Sequence, residues 1–316
     1  MSDHKVDAAA IERPIRQRML VWFAVVSGLL IAAGSISFYR LRSAIESFAE
    51  VTANGVVDGV TNQLLAADSI YRDLTEASVR VLQHEARALG EASLGASVQV
   101  AGETVPDLLF GKVPLANQFA LVDSVVARMG GTATLFVARG DDFVRVTTNV
   151  QKPDGSRAIG TKLDPAGKAI AAIKTGKSFV GVVDILGSSY FTAYEPIRAA
   201  DGKTIGIYYA GYKIETLQQL GKSIDGQRIL ENGFVALHDA RGKLLFHSSG
   251  VDEGMLKQMF ERTGAAGGGA ATTAGASLVV MDDYRVRRQE FAPWGFTILA
   301  GTYVPDLSRL SLTLIW

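Results

Sequence analysis

Two short runs carry the side chains best suited to hold a small molecule. In FVRVTTN, residues 143–149, strand alternation puts Arg145, Thr147 and Asn149 on one face and Val144 and Val146 on the other. In SSYFTAYEP, residues 188–196, it puts Tyr190, Thr192 and Tyr194 on one face, opposite Phe191, Ala193 and Glu195. A guanidinium grips a carboxylate through two parallel N–H···O bonds. Phenols and hydroxyls add donors, and the rings add apolar area. If the two faces converge, Arg145 anchors a small organic anion, a carboxylate, in a site lined by Thr147, Tyr190, Thr192 and Tyr194. Asn149, Arg157 and Lys213 are weaker candidates for the same site. The competing expectation leaves Arg145 on a wet strand face or paired with Asp141 or Asp142, and the tyrosines in ordinary core.

Other residues with chemical potential do not assemble into a reactive pattern. IKTGKSF, residues 173–179, imitates the end of a phosphate loop, but the glycine that such a loop needs is Ala171, and the preceding AGKAIAA reads as helix rather than strand. The histidines at 4, 84, 238 and 247 lack metal-ligand spacing. His238 and His247 fall on facing strands of one hairpin, where packed or solvated imidazoles are expected. Asp141-Asp142 and Asp282-Asp283 lie in turns, where aspartate is favoured for backbone reasons. There is no Gly-x-Ser-x-Gly elbow, and no cysteine to act as nucleophile or to form a disulfide. No catalysis, metal or cofactor is expected of this chain.

The elements that must position Arg145 and the tyrosines begin at a membrane. Residues 19–39, MLVWFAVVSGLLIAAGSISFY, are 21 consecutive uncharged positions, enough for a helix to cross about 30 Å of hydrocarbon. They account for a mean hydropathy of +0.18. An uncleaved anchor is expected, with a signal peptide as the alternative. Lys5, Arg13, Arg16 and Arg18 precede the span and only Arg40 and Arg42 follow closely, which favours a cytoplasmic N-terminus, residues 1–18, and an exported remainder. The 32 basic and 32 acidic residues balance, so no global field points to nucleic acid.

Beyond the span, Val57, Val60, Leu64, Ala67, Tyr71, Leu74, Ser78 and Val81 recur at three and four, the spacing of a helical seam. A stalk helix running to about residue 95, with its connection filling 40–104, would reach about 75 Å. Its seam suits packing on its own sheet and homodimerisation through a second stalk. From Gly131 the texture changes to strand, turn, strand, short helix, then three strands, the last two joined at Asp201-Gly202. This predicts a five-stranded antiparallel sheet in a membrane-distal module, residues 105–220. The order repeats in a membrane-proximal module, residues 221–304: a hairpin at Arg241-Gly242, the helix MLKQMFERT, a Gly/Ala-rich loop over 264–277, and strands around a Pro293-Trp294-Gly295 turn. Residues 305–316 turn apolar and read as the start of a truncated second transmembrane helix, or as a terminal amphipathic helix. The fold class expected is α+β: a long membrane-anchored N-terminal helix followed by two antiparallel-sheet modules.

The runs DDFVRVTT, GTKLDPAGKAIAAIKTGKSFVG and YFTAYEPIRAADGKTIGIYYAGY resemble the extracellular Cache sensor domains, which are PAS-like, and most of all the fused double-Cache group. The similarity covers about residues 40–305. It implies the periplasmic input region of a bacterial receptor of the inner membrane, of chemoreceptor, histidine kinase or cyclase type, whose output domain lies elsewhere. Ligand would then shift the stalk helix. A membrane-anchored structural or adhesion protein without a small-molecule ligand is the alternative.

Overall fold

The computed structural model describes residues 8–266, 276–281 and 283–313. Helix α1, Ala8–Ala88, is one unbroken rod of 81 residues, about 120 Å at about 1.5 Å per residue. It stops seven residues short of the expected end. Gly90 sits at φ 131° against Gly111, whose Cα would lie 2.6 Å from any Cβ placed there, so the chain can turn at this point only without a side chain. Trp22, Phe23, Leu29, Leu30, Ile31 and Phe38 all stand exposed on its first part. Among the described residues, this is the one helix long and apolar enough to cross a membrane.

A small antiparallel sheet follows, β1 Ala92–Val100, β2 Glu103–Phe110 and β3 Val113–Pro114, where a plain connection was expected. Helix α2, Ala120–Met129, leads into the distal sheet. That sheet contains β4 Thr132–Arg139, β5 Asp142–Thr148, β6 Phe179–Ile185, β7 Ser188–Arg198 and β8 Thr204–Lys213, with α3, Lys168–Lys174, between β5 and β6. The strand order is β5-β4-β8-β7-β6, all antiparallel. A single 3-10 turn and α4, Gln218–Asp225, connect to the proximal module. Its strands are β9 Phe234–His238, β10 Leu244–His247, β11 Ala276–Met281, β12 Tyr284–Phe291 and β13 Phe296–Tyr303, with α5, Glu253–Ala266, after β10. The order β10-β9-β13-β12-β11 repeats the distal topology strand for strand. Most of the Gly/Ala-rich run, 267–275, lies outside the described residues. Helix α6, Val304–Thr313, closes the described chain and packs Leu307 on Ile45 and Ala49 of α1.

Each sheet buries one face on α1 and the other under its own short helix. Leu82 and Ala86 meet Leu135, Val137, Val144 and Val146 of the distal sheet. Val57, Val60 and Leu64 meet Val235, Leu237, Ile298 and Ala300 of the proximal one. The expected seam is therefore used within the chain, but it drifts. Ile45, Ala49, Ala53, Val57, Val60 and Leu64 are buried below, whereas Thr75, Val79, Leu82 and Ala86 are buried above. A straight α-helix has about 3.6 residues per turn and walks off a strict seven-residue repeat by about 20° per heptad. The change of sheet halfway up takes up that drift.

Under α5 the proximal face holds a buried titratable group. His238 is buried, stacks on Phe260 at 4.4 Å, and neither ring nitrogen has a partner among the described residues. Burial lowers its pKa to about 4, Arg288 and His247 push the same way, and Asp239 opposes them. An unfolded histidine takes up its proton near 6.5, so between those values the unfolded state carries more protons than the folded one. Stability should be full above pH 6.5 and fall by about 1.4 kcal/mol per unit as the pH drops toward 4. Denaturant titrations across that range should show this slope, and His238→Gln should flatten it. Equal slopes for parent and variant would refute the assignment.

Candidate functional site

The face of the distal sheet turned away from α1 is covered by α3 and the 149–167 segment, and it encloses a cavity of about 280 Å³. Arg145 and Tyr194 line it together with Thr161, Asp164, Val183, Asp184 and Leu186. Strand β5 delivers Arg145 from one edge, and β6 with β7 deliver Val183, Ile185 and Tyr194 from the other. The 161–167 loop closes the gap by pairing along the free side of β5. Arg145 N–H donates to Thr161 O at 2.9 Å, and Gly160 N–H donates to Arg145 O at 2.8 Å.

Arg145 is only 4% exposed. One Nη donates to Thr161 Oγ1 at 2.6 Å, and that hydroxyl spends its own proton on Ala158 O. The guanidinium lies over the Phe136 ring at 4.9 Å. Its Nε is buried with no partner, and among the described residues no carboxylate pairs with it. Asp142, one of the expected partners, is held instead by Lys162 at 2.7 Å. Around this cation stand three phenols. Tyr194 and Tyr209 lie with ring centres 5.0 Å apart, both fully buried, and Tyr190 borders them. Burial raises the pKa of each, while Arg145 pulls the other way. The phenols stay neutral donors. Burial also lowers the pKa of Arg145, against the pull of those phenols, yet a guanidinium keeps its proton at any physiological pH. The arrangement is a desolvated positive charge beside neutral hydroxyls, facing a cavity that is partly open to solvent.

Not every expected residue arrives there. β5 carries a bulge, so that Leu135 pairs with Thr147 while the next residue, Phe136, pairs with Arg145. The extra residue, Val146, breaks the alternation. Thr147 consequently shares the face of Leu135, toward α1, and its hydroxyl donates to Gln118 O at 2.5 Å. Thr148 takes the inner face, bonded to Thr134. Asn149 caps strand ends, accepting from Ala133 N–H and donating to Gly131 O. Arg157 forks onto Asp123 at 2.7 and 2.9 Å and stacks on Phe119. Lys213 is in register with Tyr190 but pairs with Glu215 at 2.9 Å. Thr192 shares the tyrosine face, its hydroxyl donating to Gly181 O at 2.7 Å. Strand alternation therefore places Arg145, Tyr190, Thr192 and Tyr194 on the inner face, of which Arg145 and Tyr194 line the cavity, and does not reveal Tyr209 and Phe136 beside them or Thr161, Asp164 and Val183 in the lining. Tyr209 was within reach, because the Asp201-Gly202 hairpin sets Tyr194 opposite Tyr209. The others arrive through the 161–167 loop, the β4–β8 pairing and strand β6, and no local pattern announces them.

A buried charge without a partner is a liability in the empty protein. Arg145→Met keeps the volume and removes the charge, and it should raise ligand-free stability by roughly 1–2 kcal/mol in urea denaturation. A loss of that size would mean that the guanidinium is internally satisfied.

The Cache 3/Cache 2 fusion domain profile matches residues 39–313. No curated protein matches the sequence. Among solved structures, the ligand binding domain of Mlp24 with asparagine is 14% identical and superposes with a TM-score of 0.52, over 86% of this chain and 98% of that one. The sensory domain of the Campylobacter jejuni chemoreceptor Tlp3 is 11% identical, with a TM-score of 0.44 over 84% and 98%. The sensor domain of the V. cholerae histidine kinase DctB is 11% identical, with a TM-score of 0.35 over 58% and 76%.

Proposed function

The chain belongs to the Cache 3/Cache 2 fusion family, and on that premise we propose that it is the ligand-sensing input region of a bacterial transmembrane receptor, with the distal cavity binding a small organic carboxylate on Arg145. The observation that carries this reading is the buried guanidinium with no carboxylate of its own. An anion from outside would supply the missing counter-charge and accept from the free Nε–H, with neutral phenols alongside. Asp164, on the loop beside β5, also lines the cavity and favours a ligand that carries a cation as well, as an amino acid does. The asparagine held by the Mlp24 domain is consistent with that choice.

Strand β7 offers a route outward. Its inner face bears Tyr190 and Tyr194, whereas Phe191 on the reverse joins the proximal core and meets Trp294 at 6.0 Å. Trp294 Nε1–H in turn donates to Asp68 of α1 at 2.8 Å. Ligand acts by population shift: only its different affinity for two arrangements of sheet against helix can drive a signal. In this reading the apolar start of α1 anchors the chain in the inner membrane with its N-terminus inside. Phe48, Val51, Leu65 and Ile70, exposed along the stalk, form the face for a second copy.

Thermal-shift and calorimetric screening of the L-amino acids and short carboxylic acids should yield a binder. Arg145→Lys, which keeps the charge but loses the planar fork, should weaken that binder by about a hundredfold. Unchanged affinity, or a screen with no hit at all, would favour a ligand-free structural role.

A further inference from the structure

Part of the cavity's rim is a strained turn that the other module holds in place. β6 and β7 are joined by Leu186 and Gly187, with Ile185 opposite Ser188. Both turn residues have positive φ, 51° and 88°, the geometry of a two-residue hairpin turn usually filled by Asn-Gly. A leucine in the left-handed region is uncommon and persists where its surroundings over-determine it. Leu186 lines the cavity and is 44% exposed, so packing alone does not hold it.

The hold comes from hydrogen bonds to Gly187 on both sides. Gly187 N–H donates to Asp184 Oδ1 at 3.1 Å, and Gly187 O accepts from Arg241 Nη2 at 2.8 Å. The same arginine pairs its Nη1 with Asp184 Oδ2 at 2.9 Å. Arg241 belongs to the β9–β10 turn of the proximal module, and that turn is itself rigid. Asp239 is buried and accepts through Oδ1 from the backbone N–H groups of Arg241 and Lys243, both at 2.9 Å. Across the module boundary, Ser189 of β7 donates to Asp239 Oδ2 at 3.3 Å. One proximal side chain thus completes the bonding of a distal turn, reaching it from the face of the sheet opposite the cavity.

We propose that Arg241 is a positioning residue for the distal ligand cavity, fixing from the reverse face of the sheet the shape of its β6–β7 rim and the place of Leu186 in the cavity wall. The proposal rests on the reading of that cavity as the ligand site. Its consequence is reciprocal. Whatever factor this clasp contributes to ligand affinity, the ligand returns to the clasp, so occupancy reaches the proximal module by a contact that does not involve α1.

The probe is L-asparagine, measured by calorimetry, together with hydrogen exchange. On the ligand-free chain Arg241→Gln is expected to speed exchange of the backbone amides of 184–189 several-fold. It should also weaken asparagine binding by roughly threefold; the change is modest because both partners of the ion pair are nearly half exposed. Asparagine should slow exchange of the Arg241 and Lys243 amides in the parent and lose that effect in Arg241→Gln, whereas a merely structural contact would quicken exchange without linking it to the ligand. Unchanged exchange at 184–189 overturns the proposal, and so does unchanged affinity. If Arg145→Lys loses binding while Arg241→Gln leaves affinity alone, the ligand site stands and only the role of Arg241 falls. If the parent does not bind asparagine, the reading of the ligand as an amino acid fails and this proposal fails with it.

Discussion

A guanidinium removed from water and given no counter-ion among the described residues is the interaction from which the rest of the distal module can be understood. The charge of Arg145 is partly compensated by the π-face of Phe136 and by one hydroxyl. Neither offsets a desolvation of several kcal/mol. Such a residue is retained where the whole module around it is stable, and the opposite face of the sheet supplies that stability. There Leu135, Val137, Val144, Val146 and Ala210 close on Leu82 and Ala86 of α1 with almost no exposed area. The sheet is therefore two-sided: a complete apolar face toward the helix, and toward α3 a second apolar cluster of Phe136, Phe143, Ile170, Ile173 and Ile207 into which Arg145 and the phenols are set.

The proximal sheet shows that the topology does not dictate this. It has the same strand order and the same helix-covered outer face, yet that face is filled by Phe234, Ala236, Leu256, Met259 and Leu299. Its one deeply buried ionisable ring, His238, is tuned to be neutral rather than charged. Two copies of one fold thus differ in what lines the same surface, and function resides in that lining rather than in the backbone.

How much of this could be read from the residues divides along physical lines. Strand–turn–strand texture and the strong turn at Asp201-Gly202, where Gly202 has φ 83°, pointed to the distal five-stranded sheet and the helix inside it, and for the proximal module to a hairpin, a helix and further strands without their number. The faces of β7 followed from simple alternation. The small sheet at 92–114 did leave a signal, because ASLGASVQV alternates Ala92, Leu94, Ala96, Val98 and Val100 with Ser93, Gly95, Ser97 and Gln99; extending the stalk helix to about residue 95 hid it. The displacement of Thr147 left no such signal. A bulge is a property of pairing between strands, and FVRVTT reads as regular until its partner is known. Arg157 looked like a weaker candidate because it is a cation in a turn-rich stretch, and its partner Asp123 lies on a helix that the local pattern did not reveal. The Arg241 clasp joins turns more than fifty residues apart, beyond the reach of any local pattern.

The stalk has one more implication. From the first described residue to Ala88, α1 runs without interruption past both sheets, so every side chain on it occupies a fixed azimuth relative to every other. Each residue advances that azimuth by about 100°. Adding or deleting a single residue between Tyr39 and Ile45 would leave both modules folded but turn the apolar segment by more than a quarter-circle beneath them. Chains built on this plan can change composition along the rod far more freely than they can change its length.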